Sequence, residues 1–219
     1  MGHAADPQYA ARHQDDVVRL LGASPFAWLV SAGGDDAAFT PLPLRAGFDA
    51  DGRLDALLGH MARRNPHVAR LRRDPVAQAL VMGPHAYMSP GWLDDRTRAP
   101  TWNYAAAVFD LRVEVLEDDA SIRAELDALV ATMEAGRERP WRLDEMGGRY
   151  ARIAPGVSAL YMRIVAVRPT FKLGQDERRG DFDRMLVGLQ HEGGHALLDW
   201  MQAFAAPVPA DGEPSSIAD

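Results

Sequence analysis

The apolar and polar positions follow two different periods along the chain. Five segments have the short apolar runs or the alternation of period two that are typical of β-strands. They are residues 26–31, 54–60, 76–83, 100–118 and 157–173. Residues 39–45 (FTPLPLR) are also extended, because their prolines exclude a helix and favour the edge of a sheet. Residues 84–92 (PHAYMSPGW) are extended but interrupted by proline.

Helical spacing predicts four helices: residues 15–24, 65–74, 121–136 and a final helix that begins at residue 181. Asn65 is the expected N-cap of the second helix, with Pro66 at its first position. The third helix has one apolar stripe, formed by Ile122, Leu126, Leu129, Val130 and Met133. Several strands precede the first long helix and no βαβ unit repeats. The pattern therefore favours an α+β protein, an antiparallel sheet or barrel with peripheral helices.

Composition narrows the class of protein. The 219-residue chain contains no cysteine, which excludes disulfides, thiolate metal sites and a cysteine nucleophile. A formal net charge of −7 disfavours a protein that coats nucleic acid, so direct DNA binding is doubtful. We expect one domain over residues 1–205 and a disordered tail over residues 206–219, which are rich in proline, glycine and small polar residues. No apolar run is long enough to span a bilayer, and the first residues contain no signal core. We therefore expect a cytoplasmic protein.

One motif suggests a metal. Residues 191–195 read HEGGH, the H-E-x-x-H pattern in which two histidines on one helix face bind zinc and the glutamate acts as a base. No third ligand follows at a suitable place, and Gly193 and Gly194 each weaken a helix by about 1 kcal/mol relative to alanine. We reject a zinc protease. A solvated helix face is the better interpretation, and a break at the glycine pair is an alternative.

Two other segments are candidates for ligand binding. Residues 83–92 (GPHAYMSPGW) and 100–104 (PTWNY) concentrate aromatic side chains, which suit a flat conjugated ligand but equally a core or a dimer interface. Arg63 and Arg64 precede the predicted helix at Asn65, where unpaired backbone N–H groups would form an anion site. A solvated basic helix and a nucleic-acid patch are the alternatives for this second segment. A ligand with an aromatic body and a phosphate tail, such as FMN, would satisfy both segments.

The sequence resembles the FMN-binding negative transcriptional regulators that are called PaiB-like. The matching stretches run from about residue 14 to about residue 189. They are SPFAWLVS (24–31), LPL (42–44), GHMARRNPH (59–67), GPHAYMSPGW (83–92), PTWNY (100–104), PW (140–141) and FKLGQD (171–176). The resemblance implies a split β-barrel related to pyridoxamine-phosphate oxidase and flavin reductases. It also implies a homodimer with flavin at the subunit interface.

The resemblance also implies site residues. His60, Arg63 and Asn65 are phosphate-side candidates, and Met61 and Arg64 lie between them as further cofactor-binding candidates. The candidates for the ring side or the dimer contact are Thr101, Trp102, Asn103 and Tyr104, and the family's K-L-S-Q-N segment adds Lys172 and Gln175. Lys172 is the only lysine among 24 lysines and arginines, which indicates either a need for a compact ammonium group or chance.

The sequence departs from the family pattern at several positions. Arg64 replaces a small residue, Pro41 a histidine, Gly174 a serine and Asp176 an asparagine, and Gly91-Trp92-Leu93 stands where Ser-Trp-Tyr is usual.

Three functions remain open. The first is a regulatory FMN-binding protein, whose effect on transcription would be indirect. The second is an FMN-dependent oxidoreductase or flavin reductase, in which the flavin carries the chemistry. The third is a haem-binding split barrel with a ligand such as His85.

Overall fold

The computed structural model describes residues 6–33 and 37–205, so the expected disordered tail lies outside the described residues. The described chain divides into two compact units. One, which we call the sheet unit, comprises residues 13–83 and 106–169. The other, the helix-pair unit, is described over residues 6–12, 84–105 and 170–205.

Seven strands form one antiparallel sheet in the order β2-β1-β5-β6-β7-β4-β3. The strands are β1 (Phe26–Ser31), β2 (Ala38–Pro43), β3 (Arg45–Phe48), β4 (Leu54–Ala62), β5 (Val76–Met88), β6 (Thr101–Leu116) and β7 (Val157–Lys172). The proline-containing strand β2 lies at an edge, as its sequence predicts. The α+β antiparallel fold is therefore confirmed.

The sheet unit buries apolar side chains at alternate strand positions. Its helices are α1 (Gln14–Ala23), α2 (Pro66–Arg73), α3 (Asp119–Glu134) and α4 (Tyr150–Ile153). Leu57 lies opposite Met162 in the β4–β7 pair, and both side chains are fully buried. On the other face of the sheet, Ile122 of α3 packs with Ala159 in a second apolar cluster. The predicted α3 stripe is only partly buried, because Met133 at its far end is 41% exposed.

The helix-pair unit contains α5 (Arg179–His191) and α6 (His195–Ala205), where the sequence predicted one final helix. The rings of Phe171 and Trp200 stack with centroids 5.7 Å apart. The guanidinium of Arg12 lies 3.9 Å from the centroid of the Phe204 ring, which covers the end of this aromatic group. Among residues 6–33 and 37–205, no helix is both long and apolar enough to cross a membrane.

Strand β3 (Arg45–Phe48) was not predicted as a separate strand, and two other strands run further than their sequence pattern. Strand β5 continues through Pro84 to Met88, where the sequence predicted an interrupted extended segment. Strand β4 runs two residues beyond His60, so that Met61 and Ala62 pair with Ser158 and Val157 of β7. In both cases pairing with a neighbouring strand extends the element past the point at which the local pattern ends.

Candidate functional site

The HEGGH motif lies at a helix break. Helix α5 ends at His191, Gly193 has a φ of +80°, and α6 begins at His195, so the two histidines do not share a helix face. The Glu192 carboxylate accepts a hydrogen bond of 3.3 Å from the Trp92 indole. Within the described residues, no group of three or more His, Asp or Glu side chains is arranged to hold a metal ion. The continuous helix that H-E-x-x-H chemistry requires is therefore absent.

The segment His60–Asn65, which we call the phosphate-side segment, begins at the end of β4. His60 Nδ1 lies 3.4 Å from one oxygen of Glu125 on α3, and Arg45 pairs with the other oxygen. Met61 points into the core and is buried. Of the five candidates, His60 thus faces the Glu125–Arg45 ion pair, and Met61 faces the apolar core.

The Arg63 side chain is held by contacts within the protein. Its Nε lies 3.3 Å from Glu117 Oε1, and its Nη2 donates to the backbone carbonyls of Glu117 and Val157 at 3.4 and 3.3 Å. The same Glu117 carboxylate also pairs with Arg72 at 2.5 Å and accepts from the Ser158 hydroxyl at 2.8 Å. Arg64 differs, because it is exposed and no carboxylate in the described part of the chain lies within ion-pair distance of it.

The start of α2 satisfies its own backbone donors. Asn65 is the N-cap, as predicted: its side chain accepts from His67 N at 3.0 Å, and its carbonyl accepts from Val68 N at 3.0 Å. Pro66 has no N–H. The expected anion site of unpaired N–H groups is therefore not formed by the first three helical residues, because the cap consumes the donors that a phosphate would need.

His67, which sequence reasoning did not select, anchors this helix. It is 1% exposed, and its Nδ1 and Nε2 lie 2.9 Å from Thr40 Oγ1 and 3.0 Å from Ser31 Oγ. Asn65 Nδ2 donates to Thr40 Oγ1 at 3.4 Å, so the Thr40 hydroxyl is positioned to donate to Nδ1, and the neutral ring then donates from Nε2. Burial, followed by the charge of Arg70, lowers the pKa of His67, which favours this neutral form.

Thr101–Tyr104 and Lys172 form the ring-side cluster in the helix-pair unit. Trp102 is 54% exposed, and its ring centroid lies 6.1 Å from those of His85 and Tyr87. The Lys172 ammonium donates to the Thr101 hydroxyl. Asn103 is buried, with its amide nitrogen 3.7 Å from the Met201 sulfur, and Tyr104 is half-buried. Thr101 and Trp102 are consecutive residues of β6, so their side chains project to opposite faces of the strand. Trp102 therefore offers an aromatic surface on one face, and the Lys172 cation lies with Thr101 on the other.

Gln175 closes a turn. Its side-chain oxygen accepts from Leu173 N at 2.7 Å, and its amide donates to the Phe171 carbonyl at 2.5 Å. Between them Gly174 has a φ of +86°, a conformation that favours glycine over the serine usual in the family. Both polar groups of Gln175 are thus used within its own segment.

The two sets of candidates belong to different compact units: the phosphate-side segment to the sheet unit, and the ring-side cluster with Gln175 to the helix-pair unit.

Residues 5–166 match the family described as "Putative FMN-binding domain". The chain belongs to this family. The match ends before Lys172 and Gln175, so those two candidates rest on the FKLGQD resemblance alone.

Known proteins similar to this chain support the fold. Uncharacterized protein AN0679 of Emericella nidulans is 25% identical over 186 residues, which are 70% of this chain and 74% of that protein. The solved FAD and haem binding protein of Mycobacterium smegmatis is 18% identical, with a TM-score of 0.57 over 80% of this chain and 79% of its own. A flavocytochrome of Azotobacter vinelandii is 16% identical, with a TM-score of 0.56 over 80% and 75%. The split-barrel fold is shared with these flavin-binding proteins.

Proposed function

We propose that the protein binds FMN as a homodimer and resembles the PaiB-like regulators in function. The observation that supports FMN most directly is the exposed ring-side cluster in a chain that belongs to an FMN-binding family. Exposing Trp102 and Tyr87 leaves apolar area in water, and a stacked flavin ring would cover it. Lys172, whose ammonium donates to the Thr101 hydroxyl, would contact the cofactor away from a ring stacked on Trp102, because Thr101 and Trp102 project to opposite faces of β6.

The phosphate-side segment fits the cofactor in part. Arg64 is the arginine that a phosphate could reach without breaking an ion pair, and it is our first phosphate candidate. Arg63 would have to leave Glu117 to make the same contact. His60 and Asn65 would hold the segment in place through Glu125 and through the α2 cap. FMN, when bound, would supply redox chemistry that this chain's own side chains do not.

An exposed apolar surface on the sheet unit supports the homodimer. We call it the outer sheet face; its members are Phe26, Trp28, Phe39, Leu80 and Met82, which are between 40% and 68% exposed. Trp28 lies opposite Leu80 in the β1–β5 pair, so the rings and aliphatic side chains are contiguous. Contiguous apolar surface of this kind marks interaction sites in soluble proteins.

A polar group beside this face would fix the register of the partner. Asp110 accepts from Gln78 Nε2 at 2.7 Å and from Arg168 Nη2 at 3.0 Å. The Arg168 and Gln78 hydrogen bonds lower the pKa of Asp110, so it stays ionised at lower pH than an ordinary aspartate. Gln78 lies opposite Val30, next to the Trp28–Leu80 pair. A partner that covered this part of the sheet would have to match the charges of the Asp110–Arg168 pair, which favours one docking geometry.

The dimer is tested by sedimentation velocity at micromolar concentration. We expect the wild type to sediment as a dimer and Leu80→Glu as a monomer, because the new carboxylate would be desolvated in the interface. Val187→Glu is the matched control, since Val187 on α5 is 55% exposed but lies outside the outer sheet face. A monomeric wild type, or dissociation by the control alone, would refute this interface.

FMN binding is tested with the purified protein. We expect a yellow protein, or colourless protein that takes up FMN with quenching of flavin fluorescence, and tighter binding of FMN than of riboflavin because only FMN carries the phosphate. Failure to bind any flavin at high micromolar concentration would end the proposal. Tighter binding of FAD than of FMN would keep the flavin and reject FMN as its form.

The same preparation separates the alternatives. Oxidation of a nicotinamide cofactor that depends on added FMN would identify an FMN-dependent oxidoreductase or flavin reductase. Binding to DNA with a steep salt dependence would indicate direct regulation, which the net charge of −7 disfavours. Haem binding is a weaker candidate, favoured because two proteins of similar structure are described as haem-binding or as a flavocytochrome. A Soret band that disappears in His85→Ala would identify it.

A further inference from the structure

A second cavity lies in the sheet unit, away from the phosphate-side segment in sequence. The exposed flank of α3 and the following residues 135–144, which we call the strap, line an open cavity of about 520 Å³. This volume lies within the usual range of small-molecule sites. The cavity includes the Pro140-Trp141 pair, to which the proposed flavin binding gives no role.

The strap is fixed to α3 at two points. Arg123 of α3 binds Asp127 on its own helix at 2.5 Å and Asp144 at the end of the strap. At the last residue of α3, the Glu134 carboxylate accepts from the Trp141 backbone N–H at 3.1 Å. These contacts fix the strap against α3 in the free protein, so a ligand would not have to order it.

The walls of the cavity are largely apolar. Trp141 is 39% exposed, which is unusual for a large ring that lines an empty space. Val130 and Ala131 face the cavity from α3, and Leu143 closes it from the strap. A flat apolar body would cover the indole and displace water from these side chains.

One guanidinium in the lining has no ion-pair partner among the residues that the structure describes. The carboxylates of Asp127 and Asp144 are both paired with Arg123, and Glu134 is paired with Arg137 at 3.3 Å. Arg142 also lines the cavity; its backbone N–H donates to the Glu145 carboxylate at 2.9 Å, but no carboxylate in residues 6–33 or 37–205 lies within ion-pair distance of its guanidinium. The three carboxylates and three guanidiniums therefore balance, and Arg142 is the guanidinium among them that a ligand carboxylate can pair with without displacing a protein carboxylate.

We propose that this cavity binds a small carboxylate with a flat apolar body, its carboxylate on Arg142 and its body against Trp141. The site does not depend on flavin binding. A carboxylate suits the guanidinium because the two can form paired hydrogen bonds. A neutral amide of the same shape would keep the apolar contact and lose the charge, whereas an amine could not pair with the Arg142 guanidinium.

The test uses three probes of one shape: phenylacetate, phenylacetamide and phenethylamine. Each is titrated into the full-length protein while the indole N–H signal of Trp141, assigned with Trp141→Phe, is followed by NMR. We expect saturable shifts with phenylacetate, and binding that is about fivefold to tenfold weaker for the amide and weaker still for the amine. An unmoved Trp141 signal with all three probes, or equal affinity for the acid and the amine, overturns the proposal.

Two variants separate the site from general charge. Arg142→Gln should reduce phenylacetate affinity about fivefold to tenfold and leave that of phenylacetamide unchanged. Arg139→Gln removes the same charge from an exposed strap residue outside the lining and should change neither affinity. Ala131→Phe should fill the cavity and abolish binding, with the circular dichroism spectrum unchanged. Equal effects of Arg142→Gln and Arg139→Gln, or undiminished binding to Ala131→Phe, would also refute the site.

Discussion

The phosphate-side segment and the ring-side cluster differ in how far each satisfies itself. In the first, nearly every polar group already has a protein partner: Asn65 caps α2, Arg63 holds Glu117, and His60 contacts Glu125. In the second, Trp102 is left 54% exposed next to Tyr87. The residues that the sequence suggested as an anion site thus stabilise the local structure. The aromatic residues, for which a core position was the alternative, remain exposed and available to a ligand.

The largest effect should come from His67, which supports the first region. In His67→Leu, the buried hydroxyls of Thr40 and Ser31 each lose a partner, so the free energy of unfolding should fall by about 2–4 kcal/mol. Urea unfolding measures this loss. His195→Leu, at an exposed histidine, is the control and should change stability by less than about 0.5 kcal/mol. Equal midpoints for wild type and His67→Leu would contradict the structural role.

The second region should show the reverse behaviour. Trp102→Ala should weaken FMN about 10- to 100-fold through lost stacking, with little change in stability because the ring is exposed in the free protein. Fluorescence titration gives the affinity. Trp141→Ala, which also removes a partly exposed indole, should leave FMN affinity unchanged. A large loss of stability in Trp102→Ala, without loss of affinity, would make Trp102 structural.

The two neighbouring arginines sharpen the comparison within the phosphate-side segment. Arg64→Ala should weaken FMN about fivefold and leave riboflavin unaffected, because only FMN has a phosphate for that charge. Arg63→Ala should remove the contacts of Arg63 with Glu117 and Val157 and change the affinities for FMN and riboflavin equally. An FMN-specific loss in Arg63→Ala alone would mean that Arg63 leaves Glu117 when the cofactor binds. Isothermal titration of each variant with both flavins decides between them.

The smallest effect is the pH dependence of stability. The pKa of folded His67 lies below its ordinary value of 6.5, so in mildly acidic solution the unfolded chain binds a proton that the folded chain does not. The contribution of His67 is therefore complete above about pH 7 and declines as the pH falls through about 6.5 towards the folded pKa. Subtracting the urea-unfolding profile of His67→Leu from that of the wild type isolates it. A difference that grows as the pH falls would have the wrong sign.

Local signals predicted the elements well. Asn65-Pro66 marks the start of α2 because a side-chain oxygen and a residue without N–H satisfy a helix end whatever surrounds it. The prolines of β2 predict an edge strand for a similar reason. The continuation of β5 through Pro84 was missed, because only the neighbouring strands reveal that the segment is paired.

The candidate site was less predictable, because its residues are fixed by contacts distant in sequence. Glu117 is 54 residues from Arg63, and Ser31 is 36 residues from His67. No spacing pattern reports such a pair. The solvated helix face that was expected for HEGGH is wrong for a local reason: a glycine with positive φ follows the end of α5 inside the motif. The break at the glycine pair could be read from the sequence only as an alternative.

The prolines of β2 also limit how two copies of this chain could associate. β2 pairs with β1 over six residues, with Pro41 opposite Trp28 and Pro43 opposite Phe26, so the nitrogens of both prolines belong to the outer edge of the strand. That edge lacks amide donors at two alternating positions, and another chain could not extend the sheet there by backbone pairing. Association on this side must instead use side chains that project from the flat of the sheet, a mode that discourages open-ended stacking into fibres.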